Sequence, residues 1–413
     1  MSVAAWRVER LEWSDAILGE IALPGGTMVL RSGFGSGLTR RRSDPPGLVW
    51  AVSDRGPNIK VRTAVRLYGL SELAPLARLP GAKLMPRPDI GPRIAQLRLA
   101  GSRVELVQTL PLSAPDGSAV SGLPLPDGDH LLSEPVFSLD GTAIAADDGG
   151  LDTEGIAALS DGGFWVSEEF GPSLVRLDEH GTVLVRLVPE TLRVDAPYPV
   201  DPSLPAIAAK RQLNRGFEAL ALSGDEKWLF LAFQSSLAHP DEAAHAAARH
   251  VRLWRLDAAT GTLAAQYLYP LDPPASFRRD FEAGDFGRSD IKVSELIWLG
   301  NHALLALERG SSTTKLYRVA LGGAPELPAE HLDPETRPTV EELSGRDGDF
   351  PLPVLAKTLL FTSDDVPDLP PDMEGMVLLS SRELLLVNDN DFGVEGVETS
   401  FWRLTFDEPL CRD

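Results

Sequence analysis

The chain has 413 residues, of which 43% are hydrophobic and 24% charged, so it can form a substantial core. No run approaches the roughly 20 apolar residues that cross a bilayer, and the net charge of −21 disfavours nucleic acid and anionic membranes as partners. The single cysteine, Cys411, excludes an intramolecular disulfide and a cysteine-based metal site, and we interpret it as a bystander.

The amino terminus reads Met1-Ser2-Val3-Ala4-Ala5-Trp6-Arg7 and contains no apolar segment of the kind found in signal peptides. As it stands, this start predicts a cytoplasmic protein, or a protein whose leader is missing from the sequence.

Short apolar runs separated by glycine and proline predict many short strands joined by turns. In chain order, strands are expected at 6–13 and 27–31, before a glycine-rich loop at 33–37. Hairpins follow across the middle of the chain, a helix is expected at 241–250 within an insertion at 235–250, and a last strand is expected at 401–406.

The hairpins repeat one pattern: a glutamate begins an apolar run, a turn follows, and a second apolar run ends in a carboxylate or an amide. The four copies occupy 154–169, 218–234, 295–309 and 374–389, and a partial copy at 48–57 carries Asp54 and Arg55. With the strands that follow each copy, the repeat predicts four-stranded antiparallel sheets, one in roughly every 60 to 80 residues.

This spacing predicts an all-β protein, a single β-propeller domain over 1–413 with loop insertions. Six blades are favoured, and five or seven are compatible with the pattern. Terminal strands within 1–32 and 399–408 are expected to close one blade. A β-sandwich is the alternative, but it gives no reason for acidic hairpin ends to recur at matched positions.

Hairpin symmetry predicts which polar residues face each other, because residues opposite in a hairpin have numbers of constant sum. The expected pairs are Glu154 with Glu168, Glu218 with Gln234, Glu295 with Glu308, and Glu374 with Asp389. In a propeller these hairpin ends would converge at one mouth of the central channel.

The convergence predicts a ring of carboxylates that repel one another unless cations, arginines or shared protons are present. Oxygen ligands without cysteine suit calcium best, with magnesium as the alternative. Each acid on its own could equally cap a turn or pair with an arginine. The predicted metal ligands are Asp54, Glu154, Glu168, Glu218, Glu295, Glu308, Glu374 and Asp389.

Basic and amide residues beside these acids are candidates for contact with substrate. We assign Arg55, Arg309 and Gln234 to substrate binding, although both arginines could instead neutralise the acid that precedes them. The candidate catalytic residues are Glu168, Glu308, Asp389 and Arg309.

Other motifs carry less information. His239, His245 and His250 lack the spacing of zinc ligands, and we interpret them as residues of an insertion. No G-x-S-x-G sequence anchors a serine hydrolase, and the loop at 33–37 lacks the lysine and serine or threonine of a phosphate loop.

Several segments resemble the bacterial phytase-like family described as "esterase-like activity of phytase". The resembling segments are Asp152-Thr153-Glu154-Gly155, Phe164-Trp165-Val166-Ser167-Glu168-Glu169, Asn214-Arg215-Gly216-Phe217-Glu218, Leu307-Glu308-Arg309-Gly310, Glu374-Gly375-Met376 and Asn388-Asp389-Asn390-Asp391-Phe392-Gly393. The resemblance runs from about Gly33 to about Arg403. It implies a β-propeller, acidic residues that serve phosphoester hydrolysis, and a protein of a kind that is commonly exported.

Three functions remain compatible with these residues. The first is a calcium-dependent hydrolase of phosphate esters, monomeric, with a small-molecule substrate and without nucleic acid or membrane partners. The second is a non-catalytic binding or scaffold propeller with structural calcium. The third is a lactonase-like propeller hydrolase, in which the ion polarises a lactone carbonyl.

Overall fold

The computed structural model describes residues 5–128 and 132–411, and Met1–Ala4, part of the sequence on which the leader expectation rests, lie outside this range. Strands make up 41% of the structure and helices 14%, which confirms the predicted all-β class. In the described residues, no helix is long and apolar enough to span a membrane.

Five large sheets of four or five strands dominate the fold. In each sheet, we call the edge strand that lies nearest the other sheets its first strand, and it is given first below. The first sheet consists of Gly37–Thr39, Leu48–Val52, Arg93–Ala100 and Arg103–Pro111. The second consists of Thr153–Ala158, Phe164–Glu168, Ser173–Leu177, Val183–Pro189 and Val200–Leu204. The third consists of Phe217–Leu222, Trp228–Phe233, His250–Asp257 and Leu263–Pro270.

The last two sheets complete this series. The fourth consists of Lys292–Gly300, Ala303–Arg309, Thr314–Ala320 and Ala356–Thr362. The fifth consists of Met373–Ser380, Glu383–Asn388, Phe401–Phe406 and Trp6–Arg10. Trp6 lies opposite Phe406, so a strand from each end of the chain belongs to the same sheet.

Smaller elements fill the connections. A hairpin joins Ile17–Leu23 to Gly26–Arg31, and a second small sheet contains Ile59–Lys60, Lys83–Leu84, Val136–Phe137 and Ala143–Ile144. The α-helices are Val61–Tyr68, Glu242–Ala247, Arg278–Ala283 and Val340–Gly345. Short 3₁₀ helices lie at Ser71–Arg78, Ala206–Lys210, Pro274–Ser276, Arg288–Asp290, Ala329–Leu332, Ser363–Asp365 and Asp391–Gly393.

The helix predicted at 241–250 is present in a shorter form. It spans Glu242–Ala247 and begins after Asp241, whose carboxylate accepts a hydrogen bond from the Ala244 amide at 2.9 Å. The helix lies between the second and third strands of the third sheet, within the predicted insertion.

The five first strands contact one another in cyclic order, from the first sheet to the fifth and back to the first. Glycine allows this close approach: a Cβ atom on Gly37 would lie 2.5 Å from the Glu154 carbonyl oxygen, and one on Gly155 would lie 2.4 Å from that of Glu218. Hydrophobic clusters lie between neighbouring sheets, which explains why the strands read as nearly continuous apolar runs.

The predicted hairpin pairs are wrong, because each glutamate-bearing first strand contains a register shift that the constant-sum rule omits. The observed opposite pairs are Thr153 with Glu168, Phe217 with Phe233, Val293 with Glu308, and Met373 with Asn388. The predicted partners Glu154–Glu168, Glu218–Gln234, Glu295–Glu308 and Glu374–Asp389 are therefore not level with each other. The register shift therefore decides which acidic side chains come together where the first strands begin.

Candidate functional site

Acidic side chains converge where the first strands begin, which is one end of the channel they surround. Glu154, Glu218 and Glu374 lie within the register shifts of the second, third and fifth sheets. Asp54, Asp152, Glu169, Asp389 and Asp391 come from adjoining strand ends and loops. We call these eight residues the acidic cluster.

Carboxylate oxygens within the acidic cluster lie close enough to share a cation. Glu154, Glu218 and Glu374 each offer one oxygen within 4.8 Å of the other two, as do Asp54, Asp152 and Glu154. A third group, Asp54 with Asp389 and Asp391, satisfies the same limit. Glu154 and Asp54 each belong to two groups, so the three groups form one connected set of oxygen ligands.

Burial and mutual repulsion disfavour the ionised forms of these acids. Burial, followed by the charge of Glu218, raises the pKa of Glu154 well above its ordinary value. Burial, followed by the charge of Asp152, does the same to the pKa of Glu169. Burial and the neighbouring Asp391 raise the pKa of Asp389 to about 7. The cluster therefore favours protons or a bound cation over full ionisation.

Gln234 links two members of the cluster through its side-chain nitrogen, and its side-chain oxygen accepts no hydrogen bond from the described residues. Its Nε2 donates to Glu169 at 3.1 Å and to Glu218 at 2.8 Å. The side chain is 6% exposed, and its buried Oε1 has no hydrogen-bond partner among the described residues. A buried carbonyl oxygen without a donor is costly, and a cation beside it would satisfy it.

Arg55 neutralises one side of the cluster, with ion pairs to Glu134 and Asp152 that are shorter than its contact of 3.7 Å with Asp54, the partner expected from the sequence. Its guanidinium lies 2.8 Å from Glu134, 3.0 Å from Asp152 and 2.6 Å from the side-chain oxygen of Asn214. It also lies over the Phe170 ring, 4.1 Å from the centroid. These partners hold Arg55 in place beside the acidic cluster. Its predicted contact with substrate would require the displacement of one of these ion pairs.

Arg309 is held in the same way on the other side. It is 1% exposed, lies 2.8 Å from Asp372, forms an ion pair with Glu374, and donates to the Ser294 hydroxyl at 2.9 Å. Its guanidinium therefore orients Glu374 within the cluster. The roles assigned to Arg309 in catalysis and substrate binding do not fit a side chain with these buried partners.

Glu168 does not join the acidic cluster, in contrast to its prediction as a metal ligand and catalytic residue. Its carboxylate lies 2.9 Å from Arg186, with both side chains fully buried, and accepts hydrogen bonds from the Ser173 hydroxyl and the amides of Asp152, Phe170 and Gly171. Glu168 is the last residue of its strand and its carboxylate contacts residues of its own sheet, whereas Glu169 lies in the following turn and bonds to Gln234 in the cluster. Glu168 is a structural ion-pair partner.

Glu308 also contacts residues outside the acidic cluster. Its carboxylate accepts hydrogen bonds from the Tyr269 hydroxyl at 2.6 Å and the Asp272 amide at 2.8 Å, and it forms an ion pair with Lys357. Tyr269 belongs to the third sheet, so these contacts connect the third and fourth sheets. This buried network occupies the Glu308 carboxylate, which belongs to none of the potential metal groups of the described residues.

Glu295 lies deeper in the channel than the cluster. It is fully buried, and its carboxylate accepts hydrogen bonds from the amides of Leu38 at 3.1 Å and Leu296 at 3.0 Å. Burial raises its pKa well above the ordinary value despite these hydrogen bonds. In the fourth sheet, Ser294 occupies the register-shift position that Glu154 and Glu218 occupy in the second and third sheets. Glu295 therefore lies one residue further along its strand. The predicted metal role of Glu295 is therefore not supported by its position.

A basic cavity adjoins the acidic cluster. Its volume is about 470 Å³, and five cationic side chains line it, with Glu134 as the only lining carboxylate in the part of the chain described. The five cations are Lys60, Arg62, Lys83, Arg215 and Lys292. Gln234 lines the cavity and bonds to the cluster, so the two sites share a wall.

Lys292 is the cavity residue most strongly affected by its surroundings. Burial, followed by the charges of Arg309 and Arg215, lowers the pKa of Lys292 to about 8, although Glu218 favours its charged form. An anionic ligand in the cavity would stabilise the charged ammonium. The sequence does not indicate these cations because they lie on a helix, a loop and strand ends of four different segments, without a shared spacing.

Three acids of the cluster were also missed as site residues: Asp152, Glu169 and Asp391. Each lies within two residues of a predicted site residue, in the segments 152–154, 168–169 and 389–391. Glu169 directly follows the last residue of the strand Phe164–Glu168, so the second acid of the Glu168-Glu169 pair was the signal that could have identified it.

The three histidines of the insertion lie apart from the cluster and have structural partners. His245 Nδ1 lies 2.7 Å from the Ser236 carbonyl oxygen, and His250 Nδ1 lies 2.8 Å from the Ser344 hydroxyl. The Thr339 hydroxyl donates to the His239 carbonyl oxygen at 2.9 Å. In 5–128 and 132–411, no potential metal group includes a histidine.

These features define an all-β protein of blade-like sheets with a carboxylate-rich site at the start of its first strands. The chain belongs to the phytase-like family described as "Esterase-like activity of phytase", whose sequence model matches residues 31–392. The family resemblance inferred from the motifs is thus confirmed.

Comparison with individual proteins gives more distant matches. An uncharacterized secreted protein of Arthroderma benhamiae is 29% identical over 244 residues, which cover 50% of this chain and 44% of the relative. The chain therefore spans less than half the length of that relative. Virginiamycin B lyase from Staphylococcus aureus is 10% identical over 97% of this chain and 99% of its own, with a TM-score of 0.35. The β-propeller domain of Cps50 from Myceliophteria thermophila is 14% identical over 91% and 82%, with a TM-score of 0.33.

Proposed function

We propose that the protein is a metal-dependent hydrolase of phosphate esters that acts where the acidic cluster meets the basic cavity. The observation that carries this proposal is the shared wall: Gln234 bonds to Glu169 and Glu218 and also lines a cavity with five cationic side chains. A phosphate ester needs a site of positive charge, and a protein of net charge −21 provides one here through local cations and a bound metal ion.

The acidic cluster fits a hard divalent cation, with calcium favoured and magnesium as the alternative. Its potential ligands are all oxygens, and Glu154 connects the group with Glu218 and Glu374 to the group with Asp54 and Asp152. The unpartnered Oε1 of Gln234 is a further neutral oxygen at the same place. When bound, such an ion supplies positive charge for phosphate oxygens and a more acidic water.

The protein's own residues supply the rest of the proposed chemistry. Lys83, Arg215 and Lys292 would bind phosphate oxygens and orient the ester in the basic cavity. Asp389 is the remaining candidate acid–base residue among those assigned from sequence, because a carboxyl with a pKa of about 7 can hold or release a proton at neutral pH. Arg55 and Arg309 position carboxylates of the site.

We propose that the five large sheets are the blades of a single five-bladed propeller, in place of the six blades favoured from sequence. The cyclic contacts of the first strands and the hydrophobic clusters between neighbouring sheets support this number. The predicted boundaries 1–413 then describe one domain, with the strands near both termini completing the fifth blade.

The partner and location expectations remain proposals. We propose a monomer with a small-molecule substrate and without nucleic acid or membrane partners, which size-exclusion chromatography with light scattering would test. The secreted description of the Arthroderma benhamiae relative supports export over the cytoplasmic alternative. Detection of the protein in the medium of its source cells, and not in their cytosol, would test export.

An activity assay with matched variants tests the proposed function. We expect turnover of p-nitrophenyl phosphate or bis(p-nitrophenyl) phosphate in calcium, and loss of turnover in chelator. Glu154→Gln and Lys292→Met should each lower kcat/KM by about 100-fold or more, whereas Glu226→Gln, at the far end of the channel, should leave it unchanged.

Two results would contradict the proposal. Hydrolysis of lactones and not of phosphate esters would favour the lactonase-like alternative. Calcium binding without turnover of any ester or lactone would favour the non-catalytic propeller with structural calcium.

A further inference from the structure

A second cavity lies at the opposite end of the channel from the acidic cluster. Its volume is about 450 Å³, and it is lined where the first strands end, whereas the acids lie where these strands begin. Along the third sheet's first strand, Glu218 belongs to the cluster and Leu222 to the cavity, four residues and about 13 Å further on. The two sites are therefore separate.

The walls of this cavity are mainly apolar. Its lining includes Leu38, Leu220, Leu222, Leu296, Trp298 and Leu378. Trp298 stacks on Phe230 with ring centroids 5.2 Å apart and an interplanar angle of 7°, so the indole has a fixed orientation. A smaller cavity of about 260 Å³, lined by Trp228 and Tyr267, shares Trp298 as a wall. The apolar surface is thus preformed and continuous, as in sites that bind small molecules.

Two arginines at the edge of the cavity have no carboxylate partner in the described residues. Arg40 donates through Nη1 to the Leu379 carbonyl oxygen at 2.9 Å, and its buried Nε has no acceptor there. Arg42 donates to the Gly224 carbonyl oxygen. The nearby carboxylate of Glu226 is occupied by the amide of Ser160 at 3.1 Å and by its hydroxyl. An anion would satisfy the Arg40 donor and neutralise both charges.

We propose that this cavity binds an amphipathic carboxylate, with its apolar chain between Leu222 and Trp298 and its carboxylate at Arg40 and Arg42. The charge complementarity of the two arginines selects an anion over a neutral molecule. The apolar walls select a hydrocarbon body over a sugar or a nucleotide. The cavity volume lies within the range typical of small-ligand sites.

The test uses straight-chain carboxylates as probes of the purified protein. Hexanoate, octanoate and decanoate are titrated by calorimetry, with decanol as the uncharged control. Affinity should rise about fourfold for each added methylene group that the cavity encloses. Decanol should bind at least about tenfold more weakly than decanoate, because it cannot pair with the arginines.

Variants locate the binding and separate it from the proposed hydrolase site. Arg40→Gln should weaken the binding of decanoate by about tenfold and leave the affinity for decanol unchanged. Leu222→Trp fills the cavity, so it should abolish the binding of both decanoate and decanol. Because Leu222 is half-buried, the variant should still fold, which a melting curve checks. Arg403→Gln, at an exposed pair with Glu9, is the matched control and should bind like the wild type.

Three outcomes would overturn the proposal. These are equal affinity for decanoate and decanol, an affinity that does not depend on chain length, and undiminished binding in a folded Leu222→Trp variant. None of these measurements depends on phosphate ester hydrolysis, so failure of the proposed function leaves this test unaffected.

Discussion

The Glu295 carboxylate accepts a hydrogen bond from the Leu38 amide at 3.1 Å, across 257 residues of sequence. This contact joins the first strands of the fourth and first sheets within the channel. The residue lies between the acidic cluster and the apolar cavity, whose walls include its two donors, Leu38 and Leu296. Glu295 is thus a structural residue of the channel interior, and its ionisation affects folding.

The first prediction concerns the pH dependence that Glu295 contributes to stability. Because burial raises its pKa well above the ordinary value of 4.5, the folded protein holds this proton to a higher pH than the unfolded chain. Its stabilising contribution is complete below pH 4.5 and is lost as pH rises through the folded-state pKa. Glu295→Gln removes the titration, so its melting temperature relative to wild type should increase across that range.

The matched control is Glu179→Gln, which changes an exposed glutamate on a turn. Its melting temperature should follow the wild type at every pH. Parallel curves for wild type and Glu295→Gln between pH 4.5 and pH 9 would show that Glu295 ionises in the folded state as readily as in the unfolded state.

The second prediction concerns cations at the acidic cluster. A divalent ion that binds only the folded protein at a hundredfold excess over its Kd stabilises it by about 2.7 kcal/mol. For a chain of 413 residues this corresponds to a rise in melting temperature of about 3 °C. Calcium should therefore raise the melting temperature and chelator should lower it, measured by differential scanning fluorimetry.

Variants assign this effect to its site. Glu154→Gln should reduce the calcium-induced rise, because Glu154 belongs to two of the potential ligand groups. Glu226→Gln should retain the full rise. If neither calcium nor chelator moves the wild-type melting temperature, and no metal is retained on purification, then Arg55, Arg309 and protons neutralise the cluster without an ion.

The third prediction separates Glu168 from the site. Glu168→Gln keeps the side-chain shape but leaves the buried Arg186 charge without its partner, which should cost about 3 to 5 kcal/mol of unfolding free energy. Urea denaturation measures this loss. The calcium-induced rise in melting temperature should be unchanged, because the carboxylate does not reach the cluster.

A double variant provides the control. Glu168→Gln with Arg186→Met removes both charges and keeps a side-chain oxygen that can accept from the Phe170 and Gly171 amides, so it should recover part of the stability lost by Glu168→Gln alone. A loss of the calcium effect in a folded Glu168→Gln protein would restore the metal role that the sequence predicted.

The sequence predicted the fold more fully than the site. Repeated hairpins with apolar runs identified the blade-like sheets, because pairing and burial leave a regular pattern along the chain. The structure brings Asp54, Glu154, Glu218, Glu374 and Asp389 into the same set of potential ligands, and their role as metal ligands stays a prediction.

The errors arose where local backbone geometry decides direction. A register shift at the start of each glutamate-bearing first strand moves the opposite pairs, and the carboxylates of Glu168 and Glu308 pair with buried cations away from the cluster. The basic cavity was missed because Lys60, Lys83, Arg215 and Lys292 are distant in sequence and meet only in the folded chain.

The last prediction uses Gln234, which occupies a place where other sheets carry an acid. The backbone amide of Gln234 donates to the Gly216 carbonyl oxygen. In the same way, the backbone amides of Glu169 and Asp389 donate to the carbonyl oxygens of Asp152 and Asp372. Gln234→Glu would replace a donor to two carboxylates with a third carboxylate that repels both, so the metal-free protein should melt at a lower temperature near neutral pH. It would also add a charged ligand oxygen, so calcium should raise the melting temperature further than in wild type. Gln234→Met removes the same hydrogen bonds without adding charge and isolates the charge effect. Equal calcium-induced rises in Gln234→Glu and Gln234→Met would show that this position lies outside the ion's coordination.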